Sequence, residues 1–333
     1  MFLPMLMDVY DNHEQWWVFG LSGLLTMISG GSVALACANS NTGGLTIQQT
    51  FILTTGVWFV LPVFGALPFW IGATDASLVD GFFEAMSALT TTGSTVFSEL
   101  SELPRGILLW RGLMQWFGGI GIIVVAMVFL PALRVGGMHL FRTEGFETMG
   151  KILPQAAQIA RSIWSIYLSL TIACLAAYSV AGLSLFDALV HAMTTIATGG
   201  FANHDTSFVQ LGAWAEYVGA VFMLAAALPF VRYVQLLNGS AQPLFLDSQI
   251  RVFFLCVLVV IFILLLWNWI FVTSDLEHSF RKSLFNGVSI LTGTGFVSDD
   301  YNRWGDFPVM LFFMIGLIGG CAGSTTCSIK VFR

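Results

Sequence analysis

The chain has 333 residues, of which 56% are apolar and only 10% are charged, and its formal net charge is -6. This composition lies far outside that of a soluble globular domain, so lipid is the solvent for much of the surface. The apolar segments are too long for the strands of a transmembrane β-barrel. The five cysteines lack metal-ligand spacing, and we interpret them as small packing residues.

Seven segments supply the roughly 20 mainly apolar residues that a bilayer span requires. In chain order they cover residues 16–36, 47–72, 109–130, 163–183, 211–231, 252–272 and 307–329. The opening stretch MFLPMLMDVYDNHE is apolar but too short to span, so we expect a shortened helix there. It has no Lys or Arg ahead of it and does not resemble a signal peptide. The sequence predicts an all-α polytopic membrane protein.

The placement of charged residues predicts how the spans are oriented. Eight Lys or Arg residues fall on one side and five, among them Arg111 and Lys282, on the other, and the richer side is cytoplasmic by the positive-inside rule. The loop 131–162 carries four of the eight. Of the 19 acidic residues only three fall inside, which leaves 16 outside. An anionic outer mouth would concentrate cations, although any single acid is as well explained as part of a solvated face.

Three segments between spans are too short and too polar to cross the membrane: 78–95, 185–203 and 280–298. They contain DGFFEAMSALTTTGSTV, FDALVHAMTTIATGGFA and RKSLFNGVSILTGTGFV. In each one an apolar helical run leads into a Thr-Gly pair, and polar residues then return the chain outward. When the three segments are aligned on these glycines, Thr92-Gly93 matches Thr198-Gly199 and Thr294-Gly295. The pattern predicts repeated units of span, half-helix, re-entrant loop and span.

The Thr-Gly loops have the chemistry of a cation pathway. Glycine tolerates positive φ, so successive carbonyls can turn toward one point and replace the hydration shell of a cation. Each half-helix also directs its negative dipole end, worth about half a charge, toward the ion. One such loop would indicate ordinary helix packing, but three between spans favour a pore. The predicted filter comprises those three pairs, flanked by Thr91, Ser94, Ala197, Gly200, Gly293 and Phe296.

The last predicted span contains a cluster of residues that weaken a helix. We expect helical hydrogen bonding to fail between Gly319 and Thr326, close beneath the filter. Two interpretations stay open, a flexible gating loop in the membrane and a small-residue face for close helix packing. Gly118 and Gly119, after the first loop, favour packing. The candidate gating residues are Gly319, Gly320, Gly323, Ser324, Thr325 and Thr326.

Few ionisable residues lie centrally in the predicted spans. We expect His191 to pack behind the filter, and Asp80 and Asp187 to cap the half-helices that they begin. Glu84 could face either way. The sequence contains no HExxH or GxSxG motif and no nucleophile with a neighbouring base, so it does not predict an enzyme. It also lacks a GxGxxG phosphate loop, so control by a nucleotide would require a partner.

Five motifs in a fixed order carry a resemblance to a known family. They are SALTTTGST (87–95), LMQWFGGIGIIV (113–124), TIATGGF (195–201), TGFVSDD (294–300) and GGCAGST (319–325). The set resembles the superfamily of Trk, Ktr and HKT potassium transporters, and is closest to the bacterial TrkH type. The resemblance extends over nearly the whole chain from about Trp16.

The resemblance implies four span, pore-helix, span repeats around one pseudo-fourfold pore, with the filter at the Thr-Gly pairs. Family members that favour sodium tend to have serine where this chain has Gly93. Only three repeats are recognisable, so we expect the fourth, with its pore arginine, to be absent from this sequence. The predicted units are an N-terminal region with one extra span (1–46), a first repeat (47–135), a second repeat with its preceding cytoplasmic loop (136–232) and a third repeat with a broken last span (233–333).

The function that the resemblance implies is potassium uptake across a bacterial inner membrane. Potassium is then the transported substrate, bound through filter carbonyls, and no covalently bound cofactor is expected. The family also implies a homodimer in membrane lipid and a cytoplasmic nucleotide-binding regulatory subunit (TrkA-like), with no nucleic acid partner. Two alternatives stay open: a non-conducting fragment or assembly module, because three filter walls cannot enclose an ion, and a related sodium- or proton-coupled cation transporter.

Overall fold

The computed structural model describes residues 1–39, 47–72, 74–124 and 156–331. Three of the four basic residues predicted for the long inner loop, Arg134, Arg142 and Lys151, lie outside the described residues.

The described residues are mostly helical, as predicted. The first six helices are α1 (Phe2–Tyr10), α2 (Trp16–Cys37), α3 (Ile47–Gly65), α4 (Leu67–Ile71), α5 (Leu78–Leu89) and α6 (Arg105–Val124). The next five are α7 (Ala156–Val180), α8 (Leu185–Ile196), α9 (Ala213–Ala226), α10 (Phe230–Leu237) and α11 (Gln242–Leu246). The last three are α12 (Ser248–Phe271), α13 (Leu276–Leu291) and α14 (Asp306–Gly316). Two 3-10 turns (Leu100–Glu102 and Tyr301–Trp304) and two parallel strands, β1 (Ile318–Gly319) and β2 (Ile329–Lys330), complete the elements.

The order of the helices confirms the predicted repeats. The helices α5, α8 and α13 are the three half-helices, and each is preceded by a candidate membrane span: Phe51–Ile71, which comprises most of α3 with α4, Ala160–Val180 and Ser248–Phe271. Among the described residues, five helical segments are long and apolar enough to cross a membrane, and the pair α9–α10 would make a sixth. The short N-terminal helix expected before the first span is α1.

The half-helices begin at residues whose side chains cap them. Ser77 and Asp80 form a reciprocal capping box at the start of α5. At α8 the Ser184 hydroxyl accepts from the Asp187 N–H and donates to the Asp187 carboxylate at 2.7 Å. The carboxylate of Asp275 accepts from two N–H groups at the start of α13. The capping roles predicted for Asp80 and Asp187 are therefore confirmed, and each acid also complements the positive end of its helix.

The prediction of one continuous span over residues 211–231 is wrong. Helix α9 ends at Ala226, α10 begins at Phe230, and the two axes meet at 86°. Pro229 stands at the N-cap of α10, where it lacks an N–H to continue the earlier helix. The bend leaves the carbonyls of Ala226 and Ala227 free to accept hydrogen bonds from the end of the chain.

The span predicted over residues 307–329 is also wrong, because only α14 is helical there. Helix α14 has 11 residues and ends at Gly316, earlier than the expected break between Gly319 and Thr326. The chain then turns back on itself, so that the Ser328 hydroxyl donates to the Gly316 carbonyl at 2.8 Å. The Ile329 N–H donates to the Leu317 carbonyl at 3.1 Å. The returning chain thus caps the helix, and the loss of helical hydrogen bonding between Gly319 and Thr326 is confirmed.

Helix α6 is the central helix of the described fold. In its 18-residue apolar stretch, 78% of the residues are buried, against 22–33% in the corresponding stretches of the other four candidate spans. It begins at Arg105 rather than at 109, because the Asp8 carboxylate accepts from the Gly106 N–H at 2.8 Å. A Cβ on Gly118 would overlap the Leu89 carbonyl oxygen, and one on Gly119 would lie 2.9 Å from Ala197 Cα. These glycines let α6 fit between the ends of α5 and α8, which confirms their packing role.

The fit of α6 can be tested by adding one methyl group at Gly118. We expect Gly118→Ala to lower the stability of the purified chain by about 1–3 kcal/mol, because the methyl group would collide with the backbone of Leu89. The matched control is Gly31→Ala in α2, where a Cβ would meet no atom of the described part of the chain within 4 Å. Thermal unfolding in detergent measures both variants, and equal melting temperatures would contradict the close fit of α6.

Candidate functional site

The three half-helices end in the same backbone conformation. In each, the second residue past the helix adopts a left-handed φ, at 56° for Thr91, 49° for Thr198 and 70° for Gly293. The next N–H then donates to the carbonyl five residues back, the pattern of a Schellman cap. These bonds join Thr92 to Ser87 at 2.9 Å, Gly199 to Thr194 at 2.9 Å and Thr294 to Ser289 at 2.8 Å. The caps start the three loops from equivalent positions.

The residue after each cap fixes the register of the loops. Gly93, Gly200 and Gly295 have φ values of 82°, 79° and 85°, a conformation that favours glycine. The backbone therefore equates Gly199-Gly200, rather than the predicted Thr198-Gly199, with Thr92-Gly93 and Thr294-Gly295. The alignment on Thr-Gly letters is one residue out of register in the second loop. The end of the helix, and not the identity of the side chain, sets the loop conformation.

The three loops touch one another in succession. A Cβ on Gly93 would overlap the Gly199 carbonyl oxygen, and a Cβ on Gly200 would overlap the Thr294 carbonyl oxygen. By the register above, these are equivalent contacts between the first and second loops and between the second and third. At Gly295 no atom of the described residues lies within 4 Å of the same position. The loops thus converge as expected and leave open space at the third glycine.

Glu84 supports the first loop from behind. Its carboxylate is fully buried and accepts from the Thr95 hydroxyl at 2.9 Å and from the Val96 N–H at 3.1 Å. It also accepts from the guanidinium of Arg111, on α6, at 2.7 Å. The sequence left the direction of Glu84 open, and the structure turns it inward to hold the chain where it leaves the first loop.

Arg111 connects the first loop to the second. Only 1% of its surface is exposed, and it donates to the Ala202 carbonyl at 3.2 Å. Its guanidinium also lies 4.1 Å from the centre of the Phe201 ring. A buried arginine that is both ion-paired and stacked on an aromatic ring is a rigid connection. The buried pair of Arg111 and Glu84 therefore fixes the first two loops to each other.

The third loop has its own buried supports. Asn286 accepts from the Ser298 N–H at 3.1 Å and donates to the Ser298 hydroxyl at 3.0 Å. Lys282 donates to the Ser298 carbonyl at 2.7 Å and to Glu216 at 2.9 Å, and Arg281 donates to Glu216 at 2.6 Å. A hydrogen bond from Arg281 also lowers the pKa of the exposed Glu277 carboxyl. The charges beside the third loop are thus paired.

The second loop is held by Gln115 from α6, and His191 packs nearby. The Gln115 amide donates to the Gly199 carbonyl at 2.7 Å and accepts from the Phe201 N–H at 3.1 Å. His191 hydrogen-bonds the Asp187 carbonyl through Nδ1 at 2.8 Å and lies edge-on to the Phe208 ring. The expected packing of His191 behind the loops is confirmed.

The segment from residue 317 to 331 forms a closed loop, here named the terminal loop, that bridges the third filter loop and the bend between α9 and α10. The Cys321 N–H donates to the Ala227 carbonyl at 3.0 Å, and the Phe230 N–H donates to the Gly323 carbonyl at 3.0 Å. On its other side, the Cys327 thiol lies 3.8 Å from the Gly293 carbonyl oxygen. The terminal loop lies directly against the third filter loop, where sequence analysis expected the gate.

Inside the terminal loop, the candidate gating residues hold one another. The Thr326 hydroxyl lies 2.8 Å from the Ser324 hydroxyl and accepts from the Gly320 N–H at 3.1 Å. Lys330 donates to the same hydroxyl at 2.8 Å. The Thr325 hydroxyl instead donates outward, to the Ala226 carbonyl at 3.2 Å.

Sequence reasoning placed Arg111 and Lys282 among the outer charges and did not consider Gln115. The structure buries all three, and it also buries Glu84 and Glu216, so these acids do not belong to a solvated outer face. The sequence does contain a sign of these buried residues, because each is a polar residue inside or beside an apolar segment that flanks one of the loops. Polar residues at membrane depth face the protein interior and find partners there.

Comparison with known proteins agrees with the geometry of the three loops. The family described as TrkH, cation transport protein, matches residues 18–333. The chain belongs to this family. The family is one of cation transport proteins and not of enzymes, and both the predicted membership and the predicted fold class are confirmed.

Two relatives and one solved structure of this family are named as potassium uptake proteins or transporters. The chain is 41% identical to the Trk system potassium uptake protein TrkI of Halomonas elongata, over 100% of this chain and 68% of that protein. It is 43% identical to the Trk system potassium uptake protein TrkH of Vibrio parahaemolyticus, over 87% of this chain and 61% of the relative. The crystal structure of the potassium transporter TrkH from the same organism matches with a TM-score of 0.89 at 34% identity, over 99% of this chain and 69% of that one.

The buried pair behind the first two loops makes a stability prediction. Arg111→Leu leaves the Glu84 carboxylate buried without its cation, so we expect the variant to lose about 3–5 kcal/mol of stability. The control is Arg303→Leu, because Arg303 and Asp300 form an exposed pair that adds little. Denaturation in detergent compares the two. A loss for Arg111→Leu no larger than that of the control would show that Glu84 does not depend on Arg111.

Proposed function

We propose that this chain forms the ion-conducting part of a potassium uptake protein of a bacterial inner membrane. The observation that carries the proposal is the succession of three equivalent re-entrant loops, of which the first and second each place a glycine against a carbonyl of the next loop. The relatives named as Trk system potassium uptake proteins support potassium as the transported ion. The filter consists of Thr92-Gly93, Gly199-Gly200 and Thr294-Gly295, with Thr91, Thr198 and Gly293 at its inner edge.

The filter selects by backbone oxygens rather than by charge. The buried carboxylates of Glu84 and Glu216 are both neutralised by paired cations, so they do not compete with the filter for the ion. The ion meets carbonyl dipoles and the negative ends of the half-helices, which replace its hydration shell. The membrane potential, worth about 2.3 kcal/mol per charge for each 100 mV, drives entry.

The terminal loop is the gate in this proposal. It contacts the third filter loop through Cys327 and the bend through Cys321, Gly323 and Thr325. Each of these hydrogen bonds contributes only about 0.5–1.5 kcal/mol, so the loop can leave its place at modest cost. A change in the angle between α9 and α10 would release it, because the bend supplies the accepting carbonyls.

The further assembly follows the family. We propose the repeat boundaries expected from the sequence, a homodimer, and a cytoplasmic nucleotide-binding subunit that acts on the inner surface near α10 and α11. The open space beside Gly295 favours one alternative, in which these residues are an assembly module that conducts only with a further filter wall. A sodium- or proton-coupled mechanism is the other alternative.

Uptake of rubidium, a substitute for potassium, tests the function. The chain is expressed in a potassium-uptake-deficient bacterium, both alone and fused to a fourth span, half-helix, span unit from a Trk relative. We expect the fused form to take up rubidium and restore growth at low potassium, and the 333-residue form to do neither, because three carbonyl walls leave the ion open on one side.

Two outcomes would overturn parts of this proposal. A fused protein that reaches the membrane but carries no rubidium would contradict the conducting role. Growth supported by the chain alone would show that its pore is completed by other means. Sodium uptake measured in parallel distinguishes a potassium-selective pathway from a sodium-transporting one.

Gly93 provides a selectivity test in the fused form. We expect Gly93→Ser to reduce the preference for rubidium over sodium by about tenfold or more, because the new Cβ meets the Gly199 carbonyl and strains a φ of 82°. The matched control is Gly182→Ser, which has a φ of 101° but no atom of the described residues within 4 Å of its Cβ position. An equal loss of preference in both variants would assign the effect to backbone strain alone.

A further inference from the structure

We propose that Gln115 is a positioning residue for cation selectivity, because its side-chain amide sets the orientation of the second filter loop. The inference rests on the proposed function, since it assigns a role within the same filter. Gln115 lies on α6, in the second span of the first repeat, while the loop that it holds belongs to the second repeat.

The geometry of Gln115 is that of a two-point clamp. Its side chain is fully buried. The amide nitrogen donates to the Gly199 carbonyl at 2.7 Å, and the amide oxygen accepts from the Phe201 N–H at 3.1 Å. The two backbone groups flank Gly200, the residue of this loop with positive φ. One rigid, planar amide therefore fixes both peptide groups around the filter glycine.

A carboxamide can make both hydrogen bonds at this site, because it carries a donor and an acceptor in one plane. A carboxylate accepts but does not donate, an ammonium donates but does not accept, and an apolar side chain does neither. Without Gln115, a buried C=O and a buried N–H would lose their partners at membrane depth, where water is scarce. The loop would then turn these groups toward other partners, and the peptide planes of the filter would move.

Gln115 also explains why the second loop has two consecutive glycines. Gly200 provides the positive φ, but Gly199 does not have a left-handed φ and does not need glycine for its conformation. A Cβ on Gly199 would instead overlap the side-chain amide of Gln115. The equivalent positions in the other two loops are Thr92 and Thr294. The missing side chain at Gly199 therefore makes room for the clamp.

In the first and third loops a side chain of the half-helix holds the returning backbone, whereas in the second loop the half-helix holds a side chain, that of Asn203, through Asp187 at 2.8 Å. Glu84 and Asn286 both stand five residues before the helix end and accept from the returning chain. The equivalent residue in the second repeat is His191, whose Nε2 has no hydrogen-bond partner among the described residues. Its Nδ1 bonds the Asp187 carbonyl instead. Gln115 thus holds the returning backbone in place of His191.

The clamp couples the first two loops. The Gly199 carbonyl that accepts from Gln115 is the same group that lies against Gly93 of the first loop. The position of Gln115 on α6 thus determines both the tilt of this peptide group and the distance between the two loops. Since selectivity depends on the placement of the carbonyl ring, loss of the clamp should reduce discrimination between cations before it prevents permeation.

The first experiment measures the clamp without transport. Amide hydrogen exchange of the purified 333-residue chain is compared for the unchanged protein, Gln115→Leu, Gln115→Met and the control Thr171→Val. Thr171→Val removes another buried hydrogen bond of α6, from Trp116 Nε1, that does not contact the filter. We expect exchange in peptides covering residues 199–203 to be about tenfold faster or more in Gln115→Leu, and unchanged in the control.

Gln115→Met provides the test if Gln115→Leu does not fold, since it keeps the length of the side chain but has no N–H to donate to the Gly199 carbonyl. Unchanged exchange in residues 199–203 in the folded variants would overturn the proposal. Equal acceleration over all three filter loops and in Thr171→Val would also overturn it, because the effect would then be general loosening of α6.

The second experiment measures selectivity in the fused form. We expect Gln115→Leu to lower the preference for rubidium over sodium by about threefold to tenfold, while Thr171→Val keeps the unchanged ratio. Equal ratios in the two variants would overturn the role in selectivity. If the unchanged fused protein carried no cation, the proposed function would fail, whereas the exchange experiment would still decide whether the clamp exists.

A double-mutant cycle tests the explanation of Gly199. Gly199→Ala should disturb exchange in the second loop strongly when Gln115 is present, and less when Gln115 is shortened to alanine, because the collision partner is then gone. Additive effects of the two substitutions would overturn the steric link between Gly199 and Gln115.

Discussion

The fold depends on one constraint, that backbone which is not helical inside a membrane has to find hydrogen-bond partners within the protein. Each filter loop satisfies this constraint in two ways. A Schellman cap satisfies the carbonyls at the end of the half-helix, and a buried polar side chain holds the chain as it returns outward. These side chains are Glu84, Gln115 and Asn286, which differ in chemistry and come from different helices but serve the same need. The filter conformation is therefore a property of its surroundings as much as of its own residues.

The supports bring charges into the interior, and the charges in turn join the repeats. Glu84 requires Arg111, and Arg111 reaches across to Ala202 and Phe201 of the second loop. Glu216 on α9 likewise requires Arg281 and Lys282 on α13. A buried charge without its partner is costly, so each pair fixes the relative positions of the elements that carry it. In the proposed function, the same pairing leaves the neutral carbonyls as the groups that an ion would meet.

The sequence was sufficient for the parts of the fold that are set by local pattern. The half-helices, the capping roles of Asp80 and Asp187, the Thr-Gly loops and the loss of helix between Gly319 and Thr326 all follow from the local sequence. The bend at Pro229 was missed, because its free carbonyls are satisfied by Cys321 and Thr325, almost a hundred residues later. The register of the second loop was missed because Thr198-Gly199 matches its neighbours in letters, whereas the helix end places Gly200 at the equivalent conformation.

The glycines of the site have two different physical reasons, and the difference determines what a substitution tests. Gly93, Gly200 and Gly295 adopt a conformation that other residues disfavour, whereas Gly118 and Gly199 leave space for a carbonyl and for an amide. Because Gly93 and Gly200 also lie against carbonyls of the next loop, the distance between loops is set by backbone against backbone and cannot shrink. The proposed pore at this level would therefore change its width only if the loops moved apart. Arg111 and Gln115 oppose that movement between the first two loops, since both connect α6 to the second loop. A polar clamp behind the filter thus limits the largest radius of the ion site, while glycine against carbonyl limits the smallest.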